Sequence, residues 1–255
     1  MHFSKLLLPL FLGFTFIFAS CDREEDDIIV EPSETSTVVT GYISTPEGAP
    51  FAGIPVAVDF RSVSIFGTTI IHKAKGTTDK SGYYKIFFEA EEDVSMSMQQ
   101  RVYLFSADLS ALSKDKYIIS ENISVPLYGE KWKGETSTYN FIIPLKKLVK
   151  VIVSNDGLPV KEGTYAVRDK FPFIETDRFP WPAEWISLES VEIPAQGTTT
   201  ILLPCALEIE NTISLVYTGN DEINYESGIA AGDSREIVLT STFSDDIALS
   251  YTTPE

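Results

Sequence analysis

The residue types that carry most enzyme chemistry are scarce in this chain, which has two His and two Cys among 255 residues. His2 lies in an N-terminal segment that we expect to be cleaved, so His72 would be the only histidine of the mature protein. A metal site built from several histidines is thereby excluded, and the sequence contains no HExxH, CxxC or GxSxG pattern. We therefore predict no catalytic residues, no bound metal and no cofactor.

Carboxylates are abundant, with 37 Asp and Glu residues against 20 Lys and Arg. Nothing in their spacing singles out the pair that a glycosidase would use. Calcium binding by loop carboxylates stays open without any EF-hand spacing to support it; the candidates are Asp156, Asp177, Asp221 and Glu222. The formal net charge of −17 argues against nucleic acid and anionic lipid as partners, because both need clustered positive charge.

One stretch, residues 171–185, concentrates aromatic side chains and prolines. Because prolines interrupt a regular central strand, we predict an extended loop inserted after a strand at Thr164–Arg168. Rigid aromatic faces beside acids suit a sugar ring or the surface of a partner protein. The candidate ligand-binding residues are Phe173, Phe179, Trp181 and Trp185, together with Trp132 in a second loop at 128–133. The alternative is that these rings plug one open end of a sandwich.

Cys21 ends an N-terminal segment with the order of a secretory signal. Lys5 supplies a positive charge, Leu6–Phe18 is apolar, and Ala19 and Ser20 are small. A small-small-Cys ending resembles the lipobox of bacterial lipoproteins, in which the cysteine becomes lipid-modified. The resemblance implies that residues 1–20 are removed and that acyl chains on Cys21 hold the protein on a membrane. The alternative is an ordinary signal peptide followed by a chance cysteine.

The segment after Cys21 is acidic and polar. Residues 22–27 carry five acids and one Arg, and such like-charge runs stay solvated, so we predict a disordered tether at residues 21–36. An acidic run behind the lipidated cysteine resembles the surface-export signal of Bacteroidetes-type lipoproteins. It implies an outer-membrane location facing the cell exterior. Asp22 leaves an alternative, because in enterobacterial lipoproteins this position favours retention in the inner membrane.

Strand propensity dominates the chain from residue 37 onward. Segments rich in β-branched and aromatic residues, such as Thr37–Ser44 and Tyr83–Phe88, end at turn-forming residues. The pattern predicts an all-β fold of two tandem antiparallel β-sandwiches, transthyretin-like or immunoglobulin-like, at residues 37–145 and 146–255. We also predict one short helix at 107–114 and a buried, inert thiol at Cys205.

Two segments share one order of turn residues and suggest an internal repeat. The first contains Gly48, Pro50 and Gly53, and the second contains Gly157, Pro159 and Gly163. In each, a Gly after an acid suits a turn with positive φ, and the Pro fixes the exit from that turn. The alternative is that unrelated hairpin turns draw on the same few residue types.

The first copy continues into the turn sequence Thr78-Asp79-Lys80-Ser81-Gly82-Tyr83. Over roughly residues 38–144 this order resembles the carboxypeptidase regulatory-like, transthyretin-like sandwich. The matching residues are Gly41, Gly48, Pro50, Gly53, Val56, Val58, Thr78, Asp79, Gly82 and Tyr83. We expect Asp79 to cap the turn, Gly82 to adopt positive φ and Tyr83 to place its ring in the core. The family is a structural or accessory module without catalytic residues.

These features together predict a non-catalytic, lipid-anchored surface protein that acts as a binding or accessory module for a glycan or a protein. The alternative is a structural, fimbrial-type subunit, because Bacteroidetes pilins are also lipoproteins with paired transthyretin-like domains, although no donor-strand segment is recognisable here. A glycan-active enzyme is the interpretation with the least support, because histidines and catalytic motifs are lacking.

Overall fold

The structure is a computed structural model that describes residues 32–64, 67–90, 100–120, 122–127, 134–177, 183–219 and 229–254. These residues form fourteen strands and no helix, which confirms the all-β prediction. The strands are β1 Thr37–Ser44, β2 Pro55–Ser64, β3 Gly67–Thr77, β4 Tyr83–Phe88, β5 Gln100–Asp108, β6 Asn122–Leu127, β7 Thr136–Ile142, β8 Lys146–Asn155, β9 Thr164–Thr176, β10 Ala183–Val191, β11 Gly197–Ala206, β12 Glu210–Gly219, β13 Ile229–Val238 and β14 Ile247–Ser250. Within this part of the chain, no helix has the length and apolarity that crossing a bilayer requires.

The order of the strands in the sheets repeats along the chain. The first half, β1–β7, forms the rows β3-β2-β5-β6 and β7-β1-β4, and the second half, β8–β14, forms β10-β9-β12-β13 and β14-β8-β11. With β8 in the place of β1 and β14 in the place of β7, the two halves have the same topology. In each half the first and last strands pair in parallel. The expected antiparallel sandwiches therefore each contain one parallel pair.

Each half packs its two rows of strands around its own apolar core. The first core stacks aromatic rings, among them Tyr84 on Phe105 with ring centroids 5.0 Å apart. The second core is mainly aliphatic and includes Val151, Leu203 and Leu215, each fully buried. Alternate residues of the strands supply both cores, as the period of two in a pleated strand requires.

Strand β9 belongs to both halves. Its residues up to Lys170 pair with β12, whereas Ile174, Glu175 and Thr176 pair with β7 of the first half. Ile174 is 1% exposed and lies in the first core. We call the β7–β9 pairing and the side chains packed around it the joint. Independent folding of residues 37–145 and 146–255 as two domains stays a prediction.

In the turn before β4, the expectations for Asp79 and Gly82 are confirmed. Gly82 has φ +76°, and a side chain there would meet the carbonyl oxygen of Ile43 at 2.6 Å. The Asp79 carboxylate accepts hydrogen bonds from the N–H groups of Ser81 and Tyr83 at 2.8 and 3.0 Å. The expectation for Tyr83 is wrong, because Tyr84 is the residue that fills the core, at 1% exposed. Gly82 ends the turn in a pleat that aims Tyr84, Ile86 and Phe88 inward, so Tyr83 lies on the other face.

The short helix predicted at 107–114 is also wrong. Residues up to Asp108 continue β5, and two turns follow. The Asp108 carboxylate accepts a hydrogen bond from the N–H of Ser110 at 2.9 Å. Asp side chains that bond to nearby backbone in this way compete with helix formation.

Candidate functional site

The described parts of the aromatic segment are strand and not the loop that its prolines suggested, and residues 178–182 lie outside the described part of the chain. Residues 171–176 continue β9, and Ala183–Trp185 begin β10, which pairs with it. Pro172 is tolerated because it lies between the end of the β12 pairing at Lys170 and the start of the β7 pairing at Ile174. On its other side, β10 has a register shift between Ala183 and Glu184. A proline without an N–H therefore interrupts no regular ladder here.

Two of the predicted ligand residues lie in the joint. The rings of Phe173 and Trp185 meet edge to face, with centroids 5.7 Å apart and planes at 84°. Both are partly buried against a cluster formed by Ile118, Phe171 and Ala206. This cluster combines side chains of both halves, so the contacts of Phe173 and Trp185 favour a packing role over an open recognition face. Their role in ligand binding stays a prediction.

The other predicted site residues lie outside the described part of the chain. These are Cys21, Trp132, Phe179 and Trp181, and the same holds for residues 1–31, for the loop at 128–133 and for Asp221 and Glu222. Lipidation of Cys21 and ligand binding by the three aromatic residues therefore stay predictions.

A groove of about 200 Å³ lies beside the joint. One wall is the turn after β1, with Thr45, Pro46, Glu47 and Ala49; the rest comes from Lys116, Tyr117, Leu145, Leu207 and Glu208. Backbone hydrogen bonds fix these segments to one another. The N–H of Lys146 donates to the carbonyl of Lys116 at 2.8 Å, and the N–H of Leu207 donates to the carbonyl of Leu145 at 2.9 Å. The groove is therefore a built feature to which both halves contribute.

The chemistry of the groove is an apolar wall with a charged rim. Tyr117 packs edge-on against Phe51, with centroids 5.3 Å apart, and the Lys116 ammonium lies 5.0 Å from the centre of the Tyr117 ring. Glu47 and Glu208 add carboxylates. Such a surface binds a small ring or side chain by apolar contact and orients it with polar groups. The sequence pattern does not indicate this groove, because its residues are scattered over four segments that only the fold brings together.

Glu208 has an unusual backbone. Its φ is +59°, and among the described residues every other positive φ belongs to a glycine. A side chain in this region costs on the order of 1 kcal/mol or more, and such strain is concentrated at functional sites. The turn is held in place by the Glu208 N–H, which donates to the carbonyl of Leu239 at 2.8 Å.

A buried carboxyl group lies along β9 on the way to the joint. Asp169 and Cys205 are both 0% exposed. Burial raises the pKa of Asp169 to about 7, and the contacts that partly oppose this, from the Cys205 thiol and the Lys170 N–H, fall short of hydrogen-bond geometry. Burial, followed by the nearby Asp169, also raises the pKa of the Cys205 thiol. Cys205 is thus buried and kept as a thiol, which agrees with the prediction of an inert group.

His72 lies on the surface of the β2–β3 hairpin, as its sequence context indicated. Its Nδ1 is 2.6 Å from Oδ1 of Asp59, and 48% of its side chain is exposed. Within the described ranges, no group of three or more His, Cys, Asp or Glu residues is arranged to hold a metal ion.

Comparison with known proteins supplies no family. No family model matches the sequence, and no curated protein matches it significantly. Among solved structures, the chain is similar to the shaft pilin SpaA of Lactobacillus rhamnosus GG, with 14% identity, a TM-score of 0.29, and coverage of 86% of this chain and 98% of that one. It is also similar to a streptococcal ancillary pilin, with 10% identity, a TM-score of 0.28, and coverage of 87% and 64% respectively. A third is the Bacillus anthracis TIE protein, with 9% identity, a TM-score of 0.23, and coverage of 85% and 34%.

Likeness at these TM-scores carries no argument about role. The class of this protein is defined by its own strand order and two cores, which are those of an all-β protein of sandwich type.

Proposed function

We propose that the chain is a non-catalytic, lipid-anchored protein of the outer cell surface, which acts as a binding or accessory module for a glycan or protein partner. The observation that carries the binding role is the groove beside the joint, where Tyr117, Glu47 and Glu208 line one concave surface. Ligand sites occur preferentially where two packed units meet, and this groove lies at such a place. Its volume of about 200 Å³ suits a single sugar ring or one side chain of a partner.

A binding assay on whole cells tests this role. Cells that display the full chain are incubated with a neutral glucan, a mannan, a mucin glycopeptide and a peptide library, all fluorescently labelled. We expect one of these probes to be retained, and we expect Glu208→Gln and Tyr117→Ala to reduce its retention at least tenfold. The matched control is Asp156→Asn, which removes an exposed carboxylate in the turn after β8. Retention that is unchanged in both groove variants would show that the groove is not the site.

The anchor is tested separately. Cys21→Ala should release the protein from the membrane fraction and abolish fatty-acid labelling, because the thioether-linked lipid would be absent. Protease treatment of intact cells should remove the folded part of the wild type. Simultaneous neutralisation of four acids should protect the folded part by preventing export. These acids are Glu24, Glu25, Asp26 and Asp27. A wild type that resists protease on intact cells contradicts the surface location.

A structural, fimbrial-type subunit is the second candidate function, and the β2–β3 hairpin favours it. Gly67–His72 are exposed on both faces of β3, and Ile70 and Ile71 are 55% and 44% exposed. Adjacent apolar side chains that are exposed on opposite faces of one strand suit contact with another chain. Sedimentation velocity of the full chain in detergent, compared with Ile70→Lys/Ile71→Lys, tests this candidate. Assembly that the double variant abolishes supports it, and a wild type that is monomeric at all concentrations contradicts it.

A further inference from the structure

A titratable group in an unusual position lies on β9, beside the joint. Asp169 pairs with Ile213 of β12, one residue before this pairing ends at Lys170. Two residues further along β9, Phe171 lies in the cluster between the halves. Beyond Phe171, the edge of β9 that faces β12 earlier in the strand pairs through three residues, all with β7. Asp169 therefore lies where the strand leaves its own half and enters the other.

The surroundings of Asp169 offer it little polar compensation, from the Cys205 thiol and the Lys170 N–H only. It is 0% exposed, and neither carboxylate oxygen has a hydrogen-bond partner among the described residues. Its register partners on β10 and β12 are Ser187 and Ile213, and the titratable group that faces it from β11 is the Cys205 thiol. A buried polar group in this state is costly when neutral and far more costly when charged.

The nearest charged side chains of β9 and β10 do not relieve this cost. Arg168 and Lys170 flank Asp169 in sequence and therefore point to the opposite face of the sheet. There the Lys170 ammonium lies 3.3 Å from the carboxylate of Glu184. Ionised Asp169 would thus be an uncompensated charge inside the protein.

We propose that Asp169 is a pH-sensitive latch of the joint: its neutral carboxyl lets β9 stay packed in both halves, and its ionised form loosens the segment that reaches β7. The expected response is local opening of β9 from Asp169 to Thr176, because release of the β7 pairing alone would leave Asp169 between β10 and β12. The effect is independent of the binding role proposed for the groove.

The sign of the pH dependence follows from the direction of the shift. Because burial raises the pKa of Asp169 from an ordinary value near 3.8 to about 7, the closed joint binds a proton that the open joint releases. The closed form is therefore most favoured at low pH, and the opening equilibrium constant rises as pH increases between those two values. The rise is up to about tenfold per pH unit and levels off above pH 7, where both forms are ionised.

Hydrogen–deuterium exchange on the full chain tests the latch at pH 4.5, 5.5, 6.5 and 7.5, with intrinsic exchange rates divided out. We expect opening at the amides of Tyr139–Phe141 and Ile174–Thr176 to increase by up to about 100-fold between pH 4.5 and 6.5. Amides of β4 and β5, neither of which pairs with β7 or β9, should change little. Asp169→Asn should remove the pH dependence at the joint, whereas the exposed-site control Asp156→Asn should keep it.

Three results would overturn the latch. One is a joint whose opening does not change with pH in the wild type. Another is an equal increase at the amides of β4 and β5, which would mean that the whole molecule is destabilised. The third is an undiminished pH dependence in Asp169→Asn. If that variant does not fold, the comparison of the joint with β4 and β5 in the wild type still decides between the first two results and the latch.

Discussion

The two halves have the same topology, yet their equivalent hairpins end in different surroundings. In the first half, β5 accompanies β2 almost to its end, with Gln100 opposite Val63. In the second half, the pairing of β12 with β9 stops at Lys170, and β9 continues six residues further, to Thr176. The end of β9 that β12 does not reach pairs with β7 instead. In the first half, the equivalent part of β3, residues 67–72, is exposed to solvent. A difference in the length of one neighbouring strand thus converts a surface hairpin into a joint.

The side chains of the two hairpins differ in accordance with these surroundings. The β9–β10 hairpin carries Phe171, Phe173 and Trp185, which pack where the halves meet. The β2–β3 hairpin carries Ile70 and Ile71, which remain largely exposed. Large aromatic side chains bury the most apolar area per residue, so their concentration in one hairpin is explained by the larger surface that this hairpin covers.

Separation of the halves is the most drastic way to test this comparison. We expect residues 37–145 alone to unfold cooperatively with a β-type circular dichroism spectrum, as a domain boundary between Ile143 and Val151 predicts. Loss of Ile174 from the first core should reduce its stability by about 2–5 kcal/mol relative to the full chain. Denaturant titration followed by circular dichroism measures both. A molten or aggregating fragment would mean that the halves share one core.

Close strand approach in the first half is tested by Gly41→Ala. An added Cβ would meet the backbone oxygen of Tyr139 at 1.9 Å and force β1 away from β7. We expect a loss of about 3 kcal/mol or more, because backbone cannot yield as a side chain does. Gly76→Ala is the matched control, since its nearest contact would be an ordinary 3.5 Å. Equal midpoints of denaturant unfolding for the two variants would contradict the tight β1–β7 packing.

Truncation at the ends of the two hairpins compares their surroundings directly. Trp185→Ala should cost about 2–3 kcal/mol, somewhat less than a fully buried Trp, because the ring is only partly buried in the joint. Ile71→Ala should change stability by no more than about 0.5 kcal/mol, because the side chain is exposed. Chemical denaturation of both variants provides the comparison. A negligible effect of Trp185→Ala would return this ring to the candidates for ligand recognition.

The smallest expected effect concerns the strained turn of the second half. In the described first half, positive φ values belong to glycines such as Gly48 and Gly53, whereas the second half has Glu208 at +59°. Glu208→Asn should stabilise the protein by about 1 kcal/mol, because Asn tolerates this conformation better. It should also weaken retention of the probe bound by the groove. An unchanged melting temperature would show that the turn carries no strain that Asn relieves.

Local features of this fold were readable from the sequence. Thr37–Ser44 and Tyr83–Phe88 were predicted with the bounds that the structure has, because alternation of side chains and turn residues are properties of short segments. The turn glycines Gly48 and Gly157 both have positive φ, as their neighbours indicated. The error at Tyr83 concerns which of two adjacent residues faces the core. The error at 107–114 concerns a competition between turn and helix. The local sequence pattern decides both questions poorly.

The sequence by itself determined the all-β class, the main turns and the shortage of catalytic residue types, because each depends on composition or on residues near one another in the chain. Tertiary structure alone decided that β9 serves both halves, that Phe173 and Trp185 pack in the joint, and that Asp169 is buried without a partner. It also decided that four distant segments enclose a groove. These features depend on where neighbouring strands begin and end in register, and long-range pairing of that kind is set by the packing of the whole molecule.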